Sequence, residues 1–283
     1  MSYQQYRPNS FNVLPLVVKN LLIINGLFFL ATYALSNQID LADKLGLHYP
    51  FSEKFQIYQV ITYMFMHGGL MHLVFNMFAL WMFGNTLENY WGPKRFLTYY
   101  IITGIGAAVC HYTVVYFQVQ PTLDIVNVYI SNPSGEAFQA FLNSEHFKLT
   151  SMEMLNHYND NIPTYFNQAV AANNNTEALR ISVDYMQSFK TDFLNAPVVI
   201  GASGSVFGIL LAFGMLFPNT MLYVYFAIPV KAKWFVVIYG AMELFSGIAN
   251  SATDNVAHFA HLGGMLFGFI LILYWKKKSN HFY

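Results

Sequence analysis

The chain has 283 residues, of which 55% are apolar and only 10% are charged, whereas a soluble domain carries about 25% charged residues. So few charges cannot cover a water-exposed surface, and the 27 Phe and 20 Tyr residues exclude a disordered chain. Basic and acidic residues balance at 14 each, which gives no bulk charge for nucleic acid, and the single Cys110 excludes an intrachain disulfide or a cysteine-based zinc site.

Six stretches of the chain are long and apolar enough to cross a bilayer. A helix needs about 20 mostly apolar residues to cross a hydrocarbon core of about 30 Å. Backbone amides in lipid must be paired within the segment, so these spans are predicted to be helices rather than strands. In chain order they are Leu14–Leu35, His67–Leu87, Phe96–Phe117, Val198–Phe217, Trp234–Ile248 and Val256–Trp275. We therefore predict an all-α polytopic membrane protein with six transmembrane helices.

Two of these spans leave alternatives open. The fifth span is short and its start is not defined, because Met221–Val230 is also apolar. The first span could be a cleaved signal peptide, since Ala34-Leu35-Ser36 resembles a cleavage site. It is longer than a typical signal core, so a transmembrane helix is the favoured interpretation.

A long polar segment separates the third span from the fourth. Pro121–Ala196 is rich in Asn and too long for a structureless loop. Its apolar residues have helix-like spacing in Gly135–His146 and in Thr176–Leu194. The predicted organisation is a membrane core of helices 1–3 in residues 1–118 with a first external loop at 36–58, a mostly helical extracytoplasmic insertion in 119–196, and helices 4–6 with a cytoplasmic tail in 197–283.

The charges between the spans predict the topology. One side of the membrane receives nine of the 14 basic residues, opposed there by the acidic residue Glu88. These nine are Arg7, Lys19, Lys94, Arg95, Lys231, Lys233, Lys276, Lys277 and Lys278. Because positive loops stay in the cytoplasm, both termini are predicted to be cytoplasmic. We therefore expect a multi-pass integral protein of the cell (inner) membrane.

Three polar clusters lie at the starts of the second, fourth and sixth spans. Polar groups inside a membrane helix are unfavourable, and for that reason they indicate functional sites. The clusters are Met66–Asn76, which contains His72 and Asn76, Gly201–Gly208, which contains Ser203, and Ala257–Gly268, which contains His261. In the predicted topology these three spans all run from outside to inside, so the clusters meet near the extracytoplasmic face.

A Ser, a His and two side-chain donors at one depth form a set suited to nucleophilic catalysis. The His can remove the Ser proton, and the donors can stabilise an oxyanion. Two pairs of glycines with small-xxx-small spacing, Gly204 with Gly208 and Gly264 with Gly268, allow helices to approach closely. Close packing of spans four and six is expected to bring Ser203 within hydrogen-bond reach of His261.

These motifs resemble those of the rhomboid intramembrane serine proteases. The matching elements are Gly201-Ala202-Ser203-Gly204, His72 to Asn76, and Ala260-His261-Leu262-Gly263-Gly264 followed by Gly268. The resemblance covers roughly residues 14–118 and 197–275, and it does not cover Pro121–Ala196.

The resemblance implies a role for each matched residue. Ser203 would be the nucleophile and His261 the general base of a dyad. His72 and Asn76, with the Ser203 backbone amide, would form the oxyanion hole. The family cleaves transmembrane segments of membrane proteins within the bilayer, using water, with no cofactor and no metal. The expected partners are therefore single-pass membrane protein substrates and lipid, with no nucleic acid.

The glycines that follow the histidines select the base, and the acidic residues near the last two spans supply no clear third member. In the family, glycines follow the catalytic His by three and seven residues, which fits His261 and does not fit His258. Asp254 is interpreted as a solvated loop residue, and Glu243 as a residue that pairs with another helix or lines the cavity. No third triad member is therefore predicted.

The sequence leaves two other functions open. One is a catalytically inactive rhomboid-like protein that binds membrane proteins, and the intact Ser203 and His261 argue against it. The other is a metal transporter lined by His67, His72, His258 and His261. It is disfavoured because no carboxylate or Cys is expected to complete the ligand set. The sequence does not define the substrate, the oligomeric state or the role of the insertion.

Overall fold

The structure, a computed structural model, describes residues 12–224, 227–249 and 257–278. Contacts between Cα atoms divide the chain into two compact units. The first unit comprises Met1–Gly46, Val60–His111 and Ile200–Tyr283, and the second comprises Leu47–Gln59 and Tyr112–Val199. Arg7, on which part of the predicted topology rests, lies outside the described residues.

Helices dominate both units. The α-helices are α1 (Leu16–Leu35), α2 (Leu41–Leu45), α3 (Gln59–Thr62), α4 (Leu70–Ala79), α5 (Asn85–Trp91), α6 (Pro93–Ser131), α7 (Gly135–Leu142), α8 (Met152–Asn161), α9 (Asn167–Ala171), α10 (Asn175–Asn195), α11 (Ser203–Leu216), α12 (Ala232–Ala249) and α13 (His258–Lys278). Tyr63–Phe65 is a 3₁₀ turn, and Leu80–Gly84 and Ile162–Phe166 are π-helical. Because Leu80–Gly84 connects α4 to α5 directly, these elements form one apolar helix, Leu70–Trp91.

Two short antiparallel hydrogen-bonded pairs of strands accompany the helices. Strand β1 (Leu47–His48) pairs with β2 (Val198–Val199), with Leu47 opposite Val199. Strand β3 (Met221–Val224) pairs with β4 (Ile228–Lys231), with Met221 opposite Lys231. These pairs are too small to change the all-α class that the sequence predicts.

Among the described residues, five helices are long and apolar enough to cross a membrane. They are Leu16–Leu35, Leu70–Trp91, Pro93–Ser131, Ala232–Ala249 and His258–Lys278. They correspond to the predicted first, second, third, fifth and sixth spans. The predicted fourth span is the 14-residue helix α11, which is shorter than a full crossing. The all-α membrane fold is confirmed, and the count of six crossings stays a prediction.

The fourth predicted span is shorter because its first residues are not helical. Val198 and Val199 belong to strand β2, and Gly201 follows with a φ of +127°, a conformation that L side chains rarely adopt. The Gly201 N–H donates to the Tyr63 carbonyl at 2.9 Å. This turn redirects the chain so that α11 begins at Ser203. The candidate nucleophile is therefore the first residue of its helix.

The third predicted span is longer than expected. Helix α6 runs for 39 residues and continues through Pro121 to Ser131. A proline in a helix interior costs about 3 kcal/mol because it removes a hydrogen bond and clashes with the preceding turn. Buried residues beyond it, including Val126 and Tyr129, belong to the core of the second unit, and their packing offsets this penalty.

Helices α11 and α13 touch through their backbones. A Cβ atom at Gly264 would lie 1.9 Å from the Gly204 carbonyl oxygen, so only glycine fits at Gly264. The predicted glycine pairing between α11 and α13 is otherwise different. The remaining glycines of the two pairs face helix α6, where an added Cβ would meet Ala107 from Gly204, Thr103 from Gly208 and Tyr99 from Gly268. Three of the four glycines therefore allow close packing against α6 rather than between α11 and α13.

Hydrogen bonds from buried side chains also hold α11 against α6. Ser205 Oγ donates to the Tyr100 carbonyl at 2.7 Å, and Tyr99 Oη donates to the Gly208 carbonyl at 2.9 Å. In a low-dielectric interior such bonds are stronger than in water, and leaving either partner unpaired would be unfavourable. They fix the position of α11 and with it the position of Ser203.

The second unit has its own helical core. Helices α7, α8 and α10 begin at capping residues, whose side chains accept backbone N–H groups: Ser134 from Ala137, Ser151 from Met154, and Asn174 from Glu177. Aromatic rings dominate the interior, including Phe138, Phe141, Tyr185 and Phe189. The unit comprises residues 47–59 and 112–199, whereas the sequence predicts an insertion over 119–196. The insertion's boundaries and its extracytoplasmic position stay predictions.

Candidate active site

Ser203 and His261 meet at the starts of two different helices. The distance between Ser203 Oγ and His261 Nε2 is 2.9 Å. Ser203 is the first residue of α11, and His261 lies in the first turn of α13, where its ring is buried. An imidazole nitrogen at hydrogen-bond distance from a hydroxyl can remove its proton, so the arrangement suits nucleophilic catalysis.

The other nitrogen of His261 contacts an acidic residue. Glu243, a buried residue of α12, places Oε2 at 2.8 Å from His261 Nδ1. The same oxygen lies 2.7 Å from His258 Nδ1. The sequence predicted no third triad member and gave Glu243 only a pairing or cavity-lining role, whereas the structure places its carboxylate on the candidate base. Asp254, the other acid considered, lies outside the described residues.

A signal for this contact was present in the sequence. Glu243 lies in the middle of an apolar segment, and a carboxylate there needs a partner. His258 and His261 are three residues apart, so they are neighbours on one helix face. Two histidines on one face of a helix could have been matched to the single acid of the preceding span.

Aromatic stacking fixes the plane of the His261 ring. The Phe207 ring lies parallel to it, with centroids 4.1 Å apart and an interplanar angle of 6°. Tyr239 of α12 stacks on the Phe207 ring at 5.2 Å. Phe207 lies one turn after Ser203 on α11, so the helix that carries the hydroxyl also holds the imidazole. The His261 ring is therefore held at both of its nitrogens, by Glu243 and Ser203, and on one face by Phe207.

His72 faces the same small space as Ser203. A Cβ atom added at Gly201 would lie 2.9 Å from His72 Nε2 and 3.6 Å from Ser203 Oγ. The space beside Gly201 is therefore bordered by both groups. The His67 ring packs edge-on against His72, with centroids 5.0 Å apart.

Asn76 lies one turn after His72 on α4. Its side chain is buried, and Nδ2 donates to no residue that the structure describes. A buried donor without an acceptor costs about 1–3 kcal/mol, so such groups are uncommon unless they have a function. An N–H group that has no acceptor in the resting protein can donate a hydrogen bond to a negative charge that forms only during a reaction.

The four histidines of the metal alternative do not form one cluster in the described part of the chain. Among the described residues, one group of three possible metal ligands occurs, formed by Glu243, His258 and His261, with ligand atoms within 4.8 Å of one another. The expectation that no carboxylate lies near the histidines is therefore wrong. His67 and His72 are not members of this group.

Comparisons with known proteins identify the family of the chain. The family model for the Rhomboid domain matches residues 54–121 and 168–278, more than half of the chain. An uncharacterized mitochondrial rhomboid protein of Schizosaccharomyces pombe is 25% identical over 229 residues, which are 78% of this chain and 52% of the relative. Rhomboid-like protein 15 of Arabidopsis thaliana is 28% identical over 100 residues, 35% of this chain and 25% of the relative.

A relative with a protease name is also found. The rhomboid protease GluP of Bacillus subtilis is 34% identical over 55 residues, 19% of this chain and 11% of the relative. The chain spans about half the length of the Schizosaccharomyces relative and less of the other two. With apolar helices long enough to cross a bilayer and a family match over most of its membrane core, the chain is a multi-pass integral membrane protein and belongs to the rhomboid family.

Proposed function

We propose that the protein is an intramembrane serine endopeptidase of the rhomboid type, with Ser203 as nucleophile and His261 as general base. The observation that carries the proposal is the 2.9 Å distance between Ser203 Oγ and His261 Nε2 across two helices. The alternative, a rhomboid-like binder without activity, requires no such contact between a hydroxyl and an imidazole.

The reaction proceeds in two halves. Ser203 Oγ attacks the carbonyl carbon of the scissile peptide bond while His261 Nε2 takes the hydroxyl proton. The tetrahedral intermediate collapses when His261 returns this proton to the leaving amine nitrogen, which leaves an acyl-enzyme on Ser203. A water molecule then attacks the ester carbonyl carbon while His261 Nε2 takes one of its protons. The second tetrahedral intermediate collapses when the bond from its carbon to Ser203 Oγ breaks and His261 returns the proton to that oxygen, which releases the carboxylic acid product and restores the enzyme.

The oxyanion of each intermediate needs donors. We assign this role to the side chains of His72 and Asn76 and to the Ser203 backbone amide. The free Nδ2 of Asn76 and the position of His72 beside the Gly201 space support the assignment. Donors that are oriented before the reaction stabilise developing charge without reorganisation.

The substrates of this activity are transmembrane segments of single-pass membrane proteins. A peptide bond inside a helix has its carbonyl turned into the helix wall, so the segment must unwind locally before Ser203 can reach it. Segments that leave the helical state near the extracytoplasmic edge therefore fit the site. The bilayer holds both enzyme and substrate.

We infer that both termini are cytoplasmic. The support is the positive charge of the segments that hold Lys94, Lys231 and Lys276, since positive loops remain inside. A reporter enzyme fused after Tyr283 should be active only in the cytoplasm. Activity on the other side of the membrane would reverse the orientation and the proposed depth of the site.

The proposed activity is tested with purified protein in liposomes and a model transmembrane substrate. We expect cleavage by the wild type and none by Ser203→Ala or His261→Ala. Ser36→Ala is the control, because this exposed hydroxyl after α1 donates to the Tyr33 carbonyl and contacts none of the proposed site residues in that bond. A serine-directed fluorophosphonate should label the wild type and not Ser203→Ala. Cleavage that survives Ser203→Ala would refute the assignment.

A further inference from the structure

We propose that Glu243 is a positioning residue for the His261 base, anchored by His258, so that the site operates as a Ser–His–Glu triad. This inference rests on the proposed protease function and deepens it. The carboxylate comes from α12, the base from α13 and the nucleophile from α11. Three consecutive helices of the described chain thus each contribute one member.

The geometry around the His261 ring supports this role for Glu243. Nε2 lies 2.9 Å from Ser203 Oγ, and Nδ1 lies 2.8 Å from Glu243 Oε2. A neutral imidazole carries its hydrogen on one nitrogen only. With the hydrogen on Nδ1, that nitrogen donates to the carboxylate and Nε2 presents its lone pair to the Ser203 hydroxyl. In the other tautomer the lone pair of Nδ1 would face the carboxylate and be repelled by it. Glu243 therefore selects the tautomer whose Nε2 can act as base.

The charge that forms on His261 during the reaction also favours a carboxylate beside it. When Ser203 attacks, His261 becomes an imidazolium. Glu243 is buried, so its negative charge acts on this cation through a medium of low dielectric constant. The contact is therefore stronger in the transition state than in the resting enzyme, which is the condition for an effect on kcat.

His258 anchors the Glu243 carboxylate. A buried ionised carboxylate is unfavourable unless it is paired and hydrogen-bonded. His258 Nδ1 supplies a second donor to the same Glu243 oxygen at 2.7 Å. The His258 and His261 rings are nearly perpendicular, at 87°, with centroids 6.3 Å apart. Two donors from one helix therefore hold the carboxylate from different directions and fix the oxygen that faces His261.

The same three residues are also the group that could hold a metal ion. Their donor atoms, however, already satisfy one another at 2.7 Å and 2.8 Å, the distances of charge-assisted hydrogen bonds. In zinc sites each ligand atom lies at about 2.0–2.2 Å from the metal and contacts it rather than another ligand. The geometry thus favours hydrogen bonds from N–H to carboxylate.

The chain offers a matched control for Glu243. Glu88 is another buried carboxylate of the first unit, and it accepts the backbone N–H groups of Val17 at 2.9 Å and Val18 at 2.8 Å. It caps the start of α1 and contacts no histidine in any described hydrogen bond. Glu88→Gln therefore removes a buried charge of the same kind without touching the site.

The test compares kcat, KM and thermal unfolding for Glu243→Gln and Glu88→Gln. We expect Glu243→Gln to lower kcat by about 10²- to 10⁴-fold, the range for losing the acid of a triad or one general acid–base contribution. KM should change by less than about threefold, because the carboxylate does not touch the substrate. Glu88→Gln should lower the unfolding temperature and leave kcat within about threefold of wild type. His258→Gln should lower kcat by about 10-fold, since Glu243 keeps one donor.

A spectroscopic measurement separates this inference from the proposed function. In protein labelled with ¹⁵N-histidine, an Nδ1–H that donates to a carboxylate gives a strongly downfield proton resonance. We expect this resonance in wild type and in Ser203→Ala, and its loss in Glu243→Gln. If cleavage fails while this pattern is present, the protease assignment is wrong and the positioning contact stands.

A Glu243→Gln variant with unchanged kcat, or with an unchanged Nδ1–H resonance, would overturn the inference. Stoichiometric Zn²⁺ in the purified wild type that Glu243→Gln abolishes would overturn it as well.

Discussion

Gly264 of α13 packs directly on the backbone carbonyl of Gly204 in α11. A Cβ atom at Gly264 would lie 1.9 Å from that oxygen, a distance that real atoms do not adopt. Gly204 follows Ser203, and Gly264 is three residues after His261. The distance between the two helix backbones therefore determines the distance between the hydroxyl and the imidazole.

The first prediction concerns this backbone contact. Gly264→Ala should push α11 and α13 apart, destabilise the fold by about 1–3 kcal/mol as overpacking does, and lower kcat at least 10-fold. Thermal unfolding and cleavage of the model substrate measure the two effects. Gly26→Ala is the control, because an added Cβ on α1 meets nothing within 4 Å. It should be neutral or stabilise by about 1 kcal/mol. Full activity in Gly264→Ala would contradict the link between helix spacing and catalysis.

The second prediction concerns Gly201. Gly201→Ala adds backbone strain at a φ of +127° and also places a methyl group 2.9 Å from His72 Nε2. We expect loss of at least 10²-fold in kcat, in the range measured for removal of an oxyanion donor. Gly92→Ala isolates the strain, because Gly92 has a φ of +80° and open space around it. It should cost about 1–3 kcal/mol of stability and leave kcat unchanged. Equal kcat losses in the two variants would remove the argument for the space beside Gly201.

The third prediction separates a functional amide from a structural one. Asn76→Ala should lower kcat by about 10²- to 10³-fold as an oxyanion donor is lost, without reducing stability, since it removes a buried donor that has no acceptor. Asn85→Ala should do the reverse. Its Nδ2 donates to the Val13 carbonyl at 2.8 Å, so about 1–2 kcal/mol of stability should be lost at constant kcat. Kinetics and thermal unfolding on both variants decide the matter, and a large stability loss in Asn76→Ala would assign that residue to the fold.

The fourth prediction concerns the ring stacked on the base. Phe207→Leu should lower kcat by about 10-fold, because the parallel contact at 4.1 Å no longer holds the His261 plane. Phe213→Leu is matched to it, being a buried Phe of the same helix that packs edge-on against Phe83 at 5.0 Å. Both variants should lose about 1–1.5 kcal/mol of stability, the usual range for a hydrophobic swap or an aromatic pair. If kcat falls equally in both, the effect belongs to helix packing rather than to the base.

The sequence predicted well the features that depend on local composition. Apolar length located five crossing helices, and motif spacing selected Ser203 and His261, which the structure places 2.9 Å apart. The contact of Glu243 with His261 was missed because the buried acid of the fifth span was not matched to the two histidines on one face of the sixth. The boundaries of α6 and α11 were missed because they depend on packing beyond Pro121 and on the turn at Gly201.

The shortness of α11 connects the chemistry to the thickness of the surrounding lipid. Fourteen residues make a rod of about 21 Å at about 1.5 Å per residue, against about 30 Å of hydrocarbon. If its Leu216 end lies at one boundary, the hydroxyl end lies about 9 Å below the other. Hydrolytic water must then descend to that depth, and a lipid with longer acyl chains lengthens its path. The turnover of this protein should accordingly respond to acyl-chain length even where the polypeptide is unchanged.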